Sequence, residues 1–379
     1  MTRQARPLRV LVVNAGSSSL KLRLLDGDDT VAASADLAAT AGEFASDEVG
    51  TWVRGLPEPV GAVGHRVVHG GADFTGPVRL DERVDARLRE LTDLAPLHQA
   101  ASLAGIDALT RVLPDVAAVA CFDTAFHATL PPAAATYAVP RAWREGLGVR
   151  RFGFHGLSHA YAAGRAAQLL ERPAASLRLV TCHIGAGASL AAVDRGRSVD
   201  TTMGFTPLDG LVMATRSGDL DPGLVLWLQD HAGLTTAEMG AALEYSSGLT
   251  GLAGTADMQV VVARRAAGDP DARLAFDVYV HRLRAGIAAM AASLGGADAV
   301  VFTGGVGEHS PQVRAAAVGG LRFLGLSLDP RRNEAASVGG SVTDMDVSAR
   351  TARVRTLVVA AREDLRIAAE TRRVLRTDR

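Results

Sequence analysis

Two stretches of the chain share one pattern, in which a buried apolar strand, a turn of small residues and a second apolar strand follow one another. The first stretch spans Val10 to Asp26 and reads VLVVNAGSSSLKLRLLD. The second spans Leu177 to Gly196 and reads LRLVTCHIGAGASLAAVDRG. Glycine and serine let such a turn approach an anion closely with its N–H groups. The repeated β-hairpin predicts two related domains, each with a turn suited to phosphate, facing one cleft.

The first hairpin carries two rare residue types beside its turn. Lys21 is the only lysine among 40 Lys and Arg residues, and Asn14 is one of two asparagines. A compact ammonium binds phosphate as a point charge. For this stretch alone, an ordinary hairpin with a tight turn remains the alternative interpretation.

Composition limits the class of protein. The chain has 379 residues, 48% of them hydrophobic, and a net charge of −1, which argues against a nucleic-acid-binding surface. Cys121 and Cys182 both lie in apolar runs and are expected to be buried thiols rather than a disulfide. No signal peptide and no apolar run of about 18 residues is visible. We therefore expect a cytoplasmic protein without membrane partners.

Strands alternate with helices along the chain, which predicts an α/β fold. In the first half we predict strands over Ala62–Val68 and Val116–Phe122 and a helix over Glu82–Leu94, followed by another helix to Leu113. The stretch Val31–Trp52 shows no clear pattern. Ligands of α/β folds gather at the carboxyl ends of strands, where the second of these strands delivers Asp123.

The second half continues the alternation. A strand over Asp298–Phe302 leads into the glycine turn of Thr303–Glu308, and a helix near Pro311 follows. Such strand–turn–helix units cradle phosphate because helix N-termini attract anions. A long loop over Asp200–Pro222 is expected to be functional. The remaining predicted elements are a helix to Leu170, a long helix over Ala272–Leu294, a strand over Val354–Val359 and a helix from Glu363.

Taken together, the motifs resemble those of the acetate kinase family (acetate and propionate kinases) of the sugar-kinase/Hsp70/actin superfamily. They are, in order, NAGSSSLK, GHRVVHGG, APLH, FDTAFH, RRFGFHGLSH, MGFTPLDG, TRSGDLDP, TGGVGE and the C-terminal ED-L-IA pattern. The resemblance implies two ribonuclease-H-like domains facing a central cleft. We expect an N-terminal acyl- and phosphate-side domain of residues 1–127 plus 364–379, and a nucleotide-binding and dimerisation domain of residues 128–363.

The same resemblance implies reversible transfer of the ATP γ-phosphate to acetate, with ATP/ADP as co-substrate, Mg²⁺ (Mn²⁺ as an alternative) and a homodimer. Its catalytic residues would be Arg66, Asp123, His155 and Arg216. Guanidinium forks hold carboxylate and phosphoryl groups without losing charge, although surface ion pairing is the usual role of an arginine. His155 would donate to a phosphoryl oxygen, and Asp123 would act electrostatically.

The resemblance also implies sites for substrate, nucleotide and metal. Arg66 would bind acetate, and the apolar pocket for the acyl methyl group would contain Val68, Leu97, Phe154 and Pro207. Asn14 and Glu363 are hard oxygen ligands suited to Mg²⁺. The residues expected around the nucleotide are Lys21, His183, Ile184, Gly185, Ala186, Gly187, Asp257, Met258, Gln259, Gly305, Val306, Gly307, Glu308 and His309.

Several positions depart from the family pattern, mostly on the nucleotide side. Ala186 and His309 stand where asparagine is usual, and Gln259 replaces an arginine. The other departures are Leu157, Gln99 and Arg362. We therefore expect nucleotide binding that is weaker or less selective than in a typical member of the family.

Three alternatives stay open at this stage. A propionate or other short-chain carboxylate kinase would share all of these motifs. A sugar or polyol kinase of the same superfamily would need a strong general base, whereas paired arginines favour an anionic acceptor. A non-catalytic nucleotide switch like actin or Hsp70 would carry a partner-binding segment, and no such segment is apparent in the sequence.

Overall fold

The structure is a computed structural model that describes residues 8–16, 19–38, 44, 46–94, 96–337 and 342–377, except for the side chains at 46 and 96–98. The chain forms two compact units. Unit 1 contains Met1–Ala128 and Arg362–Arg379, and unit 2 contains Thr129–Ala361. Glu363, which the sequence analysis assigned to the second domain, lies in unit 1. Within the described part of the chain, no helix combines the length and apolar character needed to cross a bilayer.

The elements of the first part of the chain all belong to unit 1. They are β1 Val10–Ala15, β2 Ser19–Leu25, β3 Val31–Ala38, α1 Ser46–Arg54, β4 Ala62–Val67, β5 Val78–Arg79, α2 Glu82–Glu90, α3 Pro96–Val112 and β6 Ala118–Phe122. The predicted hairpin is confirmed, and β1 is almost completely buried. The unpatterned stretch contains a strand and a helix that the sequence analysis missed. Most of β3 is exposed or half-buried, so it lacks the apolar signal of a strand.

The six-stranded sheet of unit 1 has the order β3-β2-β1-β4-β6-β5. The strands β1, β4 and β6 are parallel, whereas β2, β3 and β5 pair antiparallel with their neighbours. Along β2, buried leucines alternate with the exposed Lys21 and Arg23, as expected for a strand covered on one face. Helices α1 and α3 pack on that buried face around Leu22 and Leu109.

The elements from residue 132 onward belong to unit 2, apart from the last helix. They are α4 Pro132–Ala135, α5 Arg141–Gly146, α6 Gly156–Leu169, β7 Arg178–Ile184, β8 Ala188–Asp194, β9 Arg197–Thr201, α7 Pro222–Ala232, α8 Thr236–Tyr245, α9 Gly248–Ala253, α10 Met258–Ala266, α11 Pro270–Ser293, β10 Ala299–Thr303, α12 Gly304–His309, α13 Pro311–Gly319, α14 Pro330–Ala335, β11 Met345–Asp346 and β12 Arg355–Val358. Helix α15, Glu363–Thr377, completes unit 1. It packs against β1, β4 and β6.

The sheet of unit 2 repeats the topology of unit 1. Its order is β11-β12-β10-β7-β8-β9, which in reverse matches the first sheet strand for strand. The strands β7, β10 and β12 are parallel, and β7-β8-β9 is an antiparallel meander like β1-β2-β3. The two related domains predicted from the repeated hairpin are thus present as two sheets of one topology. Cys121 and Cys182 are fully buried free thiols, one in each sheet.

Candidate active site

Polar side chains gather at the carboxyl ends of the parallel strands of unit 1. Asn14 lies near the end of β1, Arg66 near the end of β4, and Asp123 directly follows β6. Arg66 donates from Nη1 to Asn14 Oδ1 at 3.1 Å and from Nη2 to Asp123 Oδ2 at 2.6 Å. Glu363 begins α15 and brings its Oε2 to 3.9 Å from Arg66 Nε. The structure therefore places three predicted site residues around the guanidinium of a fourth, Arg66.

The environment of Arg66 keeps it charged. Its side chain is 18% exposed, and its partner Asp123 is 1% exposed. Burial by itself would lower the pKa of Arg66, but the negative charges of Asp123 and Glu363 outweigh burial and raise that pKa above its usual range. The guanidinium is thus permanently cationic, and two hydrogen bonds hold its orientation.

Lys21 adds a second cation near Asn14. The two residues lie directly opposite each other in the β1–β2 ladder. Opposite residues of an antiparallel pair project to the same face, so the exposed lysine shares a face with Asn14. The turn between the two strands includes residues 17 and 18, which lie outside the described residues.

The turn after β4 is held by a buried glutamine. His69 N donates to Gln99 Oε1 at 3.2 Å, and Gln99 Nε2 donates to the His69 carbonyl at 3.2 Å. Gln99 is one of the departures noted in the sequence, and the structure shows that it clamps the backbone next to Val68. Val68 itself is buried. The side chain of Leu97 lies outside the described residues, so its predicted role in the acyl pocket stays a prediction.

In unit 2, His155 and Arg216 converge on the glycine turn between β7 and β8. A Cβ atom added at Gly187 would lie 3.3 Å from His155 Cε1 and Nε2 and 3.6 Å from Arg216 Nη1. A Cβ atom would therefore press on the His155 ring and lie in ordinary van der Waals contact with Arg216. The structure thereby brings two predicted catalytic residues together over a bare stretch of backbone.

His155 occupies a strained backbone position. Its φ of 56° and ψ of 23° place it in the left-handed region, at the N-cap of α6. Non-glycine residues adopt this conformation rarely, and such residues concentrate at functional sites. The His155 ring lies 4.2 Å from the ring of His183, measured between centroids. His183, predicted on the nucleotide side, is therefore a direct neighbour of the predicted phosphoryl donor.

Arg216 is anchored by a residue that the sequence analysis did not identify. Its Nε donates to Glu244 Oε1 at 2.6 Å, and the two side chains are 16% and 12% exposed. Glu244 lies on α8, and the motif that contains Arg216 gives no signal for it. The pair fixes one edge of the guanidinium and leaves the Nη1 side towards Gly187.

The long loop that contains Arg216 has its own polar scaffold. Arg151 Nη1 donates to Asp209 Oδ2 at 3.1 Å, and Gly210 N donates to Asp219 Oδ1 at 2.7 Å. Burial, with a hydrogen bond to Asp209, raises the pKa of Asp219 to about 6. These contacts order a stretch that forms no helix or strand between 202 and 221. Pro207 lies in the same loop.

The other residues predicted around the nucleotide gather at a cavity of about 270 Å³ in unit 2. Its lining includes eight of them, namely Gly185, Ala186, Asp257, Met258, Gln259, Gly305, Val306 and His309. The cavity lies at the carboxyl ends of β7 and β10, where ligands of α/β folds gather. A larger cavity of about 410 Å³ in unit 1 contains none of the predicted site residues in its lining. The predicted nucleotide-binding residues therefore correspond to the smaller cavity.

The turn after β10 rests on buried polar contacts. Gly304 has a φ of 79°, and a Cβ there would lie 2.9 Å from the backbone of Ile184, so only glycine fits. Glu308 Oε1 accepts from Gly304 N at 2.8 Å, so this residue supports the turn. Arg314 is fully buried and donates to the carbonyls of Gly307 and Glu308 at 2.8 and 2.6 Å. Ile184, Gly307 and Glu308 thus shape the cavity without lining it.

Comparison with known proteins assigns the family. Residues 38–369 match the model of the Acetokinase family. An acetate kinase of Trichormus variabilis is 49% identical over 319 residues, which are 84% of this chain and 77% of that protein. The crystal structure of Porphyromonas gingivalis acetate kinase matches with a TM-score of 0.89 at 34% identity, over 97% of this chain and 100% of that one. A propionate kinase from Francisella tularensis matches with a TM-score of 0.89 at 32% identity and the same coverage.

The chain belongs to the acetokinase family. As a family member it is a kinase whose phosphoryl acceptor is a carboxyl group, which confirms the reaction class predicted from the motifs. The fold predicted from the resemblance is confirmed as well, since each unit carries a six-stranded mixed sheet like those of acetate kinase structures.

The structure adds two residues to the predicted site, namely His159, which ends the motif RRFGFHGLSH, and Ser189, which lies in none of the motifs. Both are fully buried, and Ser189 Oγ contacts the rings of His155 and His159. His159 follows His155 by four residues, a spacing that places both on one side of a helix, so the motif carried a usable signal. Ser189 had no such signal, because it lies on another strand. Phe154 is buried in unit 2, whereas Val68 is in unit 1, and their grouping as an acyl pocket stays a prediction.

Proposed function

We propose that the protein transfers the γ-phosphate of ATP reversibly to acetate, giving acetyl phosphate and ADP. The observation that carries the proposal is the convergence of His155 and Arg216 on Gly187, next to the cavity that Gly185 and Ala186 line. Phosphoryl transfer depends on positioning and charge neutralisation rather than on covalent chemistry by the protein. A cation and a ring N–H donor beside a bare glycine turn can supply both.

The proposed roles follow the contacts of each residue. Arg216 stabilises the charge that spreads over the phosphoryl oxygens in the transition state, and His155 donates to one of those oxygens. Arg66 binds the acetate carboxylate. Asp123 holds Arg66 through their 2.6 Å ion pair, and an ion-paired carboxylate is a poor general base. This pairing favours an acceptor that is already anionic over a sugar hydroxyl.

The residues proposed for Mg²⁺ fit the ion chemically. Both residues place a side-chain oxygen near the Arg66 guanidinium, Asn14 Oδ1 at Nη1 and Glu363 Oε2 at Nε. Among the described residues, no three His, Cys, Asp or Glu side chains cluster to form a metal site by themselves. Mg²⁺ is usually held by one or two carboxylates together with substrate phosphates, so a sparse protein ligand set is appropriate. When bound, the ion would neutralise charge on the phosphates, and Mn²⁺ would serve as a substitute.

The nucleotide cavity supports the expectation of relaxed nucleotide choice. Ala186 lines it without a polar side-chain atom, and Gln259 and His309 line it where the family pattern has other residues. A lost hydrogen bond weakens binding by roughly 0.5–1.5 kcal/mol. We propose that GTP competes well with ATP, and that Lys21 contributes to phosphate binding from unit 1.

The test is an acyl-phosphate trapping assay. Purified enzyme with Mg²⁺ is given hydroxylamine, one phosphoryl donor (ATP, GTP, CTP or pyrophosphate) and one acceptor (acetate, propionate, butyrate or glycerol). We expect acetohydroxamate with ATP and with GTP. Absence of hydroxamate with every C2 to C4 carboxylate would end the proposal, and a preference for propionate would correct its substrate. A strong preference for ATP that Ala186→Asn leaves unchanged would refute the argument on nucleotide choice.

A pair of glycine variants ties the activity to the proposed site. Gly187→Ala places a methyl group 3.3 Å from His155, so the imidazole must shift by a few tenths of an ångström, and kcat should fall by about 10-fold or more. Gly240→Ala on α8 meets no atom within 4 Å and is the matched control. Equal activity in the two variants would place the reaction elsewhere.

We also propose a homodimer that forms through α7. Within its described residues none is buried in the monomer, and Leu226 and Trp227 are 64% and 52% exposed. An exposed apolar helix face suits a two-fold interface, in which the same surface of both copies meets. The cytoplasmic location stays a prediction.

A further inference from the structure

A chain of four polar side chains runs from the site into the core of unit 2. His155 Nδ1 lies 2.9 Å from Ser189 Oγ, and the same Oγ lies 2.8 Å from His159 Nε2. His159 Nδ1 in turn lies 2.8 Å from Thr181 Oγ1. Ser189, His159 and Thr181 are each fully buried. Each hydroxyl has a single hydrogen to donate, so when these hydrogens are used within the chain, all of its hydrogen bonds run in one direction.

Two directions satisfy the ring contacts. In the inward direction, His155 Nδ1 donates to Ser189, and the last hydrogen goes from Thr181 Oγ1 to the Ala191 carbonyl at 3.4 Å. That separation exceeds the 2.5–3.0 Å range of O–H···O hydrogen bonds. In the outward direction, Thr181 donates to His159, His159 donates to Ser189, and Ser189 donates to His155 Nδ1. Every bond is then 2.8–2.9 Å long.

We propose that Ser189 and His159 are positioning residues that hold His155 in its neutral tautomer with the hydrogen on Nε2. The outward direction makes Nδ1 of His155 an acceptor, so a neutral ring carries its N–H on Nε2. That atom is one of the two that approach Gly187. Because a phosphoryl oxygen is purely an acceptor, an N–H aimed at it needs no additional proton. The inference rests on the proposed role of His155 and explains how an uncharged histidine can perform it.

The surroundings of His155 favour an uncharged ring. Arg216 approaches the same glycine, and the His183 ring is 4.2 Å away and is itself bonded to Ser158 Oγ at 2.8 Å. The carboxylate of Glu244 is engaged by Arg216. A second full cation beside Arg216 would be repelled, whereas a neutral donor is not.

Nitrogen-15 NMR of the histidine rings measures the tautomer directly, independently of catalysis. Enzyme labelled on histidine is recorded at pH 8, without and with a non-hydrolysable ATP analogue, and the His155 signals are identified by their loss in His155→Gln. We expect His155 and His159 to be protonated on Nε2 and bare on Nδ1. Protonation of His155 on Nδ1, or on both nitrogens, would overturn the proposal.

Variants then test whether the chain controls His155. Ser189→Ala should change the His155 ring shifts and lower kcat about 10-fold or more, by analogy with the outer partners of metal-ligating histidines, while the KM for acetate stays near its wild-type value. Ser189→Thr keeps the hydroxyl and should restore both readouts. His159→Gln, which can still donate to Ser189, should keep the His155 tautomer.

Thr201→Val is the matched control. Thr201 is another buried hydroxyl of the same sheet, which donates to the Leu190 carbonyl at 2.7 Å and takes no part in the chain. It should leave the His155 shifts and kcat unchanged. Unchanged His155 shifts in Ser189→Ala would refute the inference. Full activity of His155→Gln would instead refute the proposed role of His155, while the NMR result would still report on the chain.

Discussion

Each of the two arginines proposed for catalysis is held by a carboxylate. Arg66 is bonded to Asp123 and Arg216 to Glu244, and all four side chains are at least four-fifths buried. An arginine side chain loses rotamer entropy when it is fixed in one orientation. Because the ion pair with the carboxylate already fixes it, less of this entropy is lost when the substrate binds. The ion pairs therefore hold both guanidinium groups in fixed orientations. Arg66 lies beside Asn14 and Glu363, whereas Arg216 lies beside Gly187.

Because we propose different roles for the two arginines, substitutions at Arg216 and Arg66 should affect kcat and the acetate KM differently. Arg216→Ala should lower kcat by ~100-fold or more with little change in the acetate KM, because its contact strengthens in the transition state. Arg66→Lys keeps the charge beside Asp123 but loses the fork, so it should mainly raise the acetate KM. Steady-state kinetics with varied acetate measures both, and small, equal effects would mean that these arginines are structural.

A control for Arg216→Ala must show that the variant loses activity rather than stability. Arg216→Ala alone leaves Glu244 without its partner, and breaking a buried pair can cost 3–5 kcal/mol of stability. The double variant Arg216→Ala/Glu244→Ala removes both charges and should recover stability without recovering kcat. Urea unfolding of the single and double variants distinguishes loss of folding from loss of chemistry.

Two buried histidines lie close to Arg66 in the sequence, His65 on β4 and His69 in the turn that follows it. Burial lowers the pKa of His65 to about 3 and that of His69 to about 4, from an ordinary value of 6.5. Below pH 6.5 the two histidines bind protons in the unfolded chain but stay neutral in the folded protein until the pH approaches their lowered pKa values. Stability is therefore complete above pH 6.5 and falls as the pH decreases towards the folded pKa values.

We expect each of these histidines to remove up to about 2 kcal/mol of unfolding free energy between pH 6.5 and 5. Equilibrium urea unfolding at a series of pH values measures this loss. His65→Leu removes one titrating group and should flatten the curve over that range, with no change in its slope between pH 7 and 8. Identical pH dependence in the wild type and His65→Leu would show that the burial of His65 is not maintained in solution.

At the scale of the molecule, one topology occurs twice, and we propose a different function for each copy. The first copy carries Asn14, Arg66 and Asp123 at the ends of its parallel strands, whereas glycine turns follow two of the three parallel strands of the second copy, β7 and β10. The shared framework presents the carboxyl ends of three parallel strands, and residue type decides what is bound there. Charged side chains suit a carboxylate and a metal, whereas bare backbone suits a nucleotide.

The proposed homodimer is tested by mass. The chain has a mass of 39.4 kDa, and light scattering after gel filtration should give about twice that value for the wild type. Trp227→Glu places a charge on the exposed face of α7 and should yield monomers. Trp143→Glu is the matched control, since Trp143 is 53% exposed and lies on α5. A monomeric wild type, or a dimeric Trp227→Glu, would contradict the proposed interface.

Much of the fold and part of the site could be read from local pattern. A window of about twenty residues is enough to predict the hairpin around Asn14, the parallel strands and the glycine turns. Apolar periodicity and turn-forming residues are local properties of the sequence. The strand and helix within Val31–Trp52 escaped prediction because β3 is mostly solvent-exposed and its apolar contrast is weak.

The sequence by itself determined the reaction class, through motifs that resemble those of the acetate kinase family, and indicated the duplicated topology, through its repeated hairpin. Only the tertiary structure decided which side chains pair with each arginine. Asn14 and Glu363 lie at opposite ends of the chain yet flank one guanidinium, and Glu244 anchors Arg216 from a helix without any motif. Local sequence encodes backbone conformation, whereas contact between distant residues depends on how the strands are ordered in a sheet. Ser189 and His159 belong to the same class, since their hydrogen bonds exist only once β7, β8 and α6 pack together.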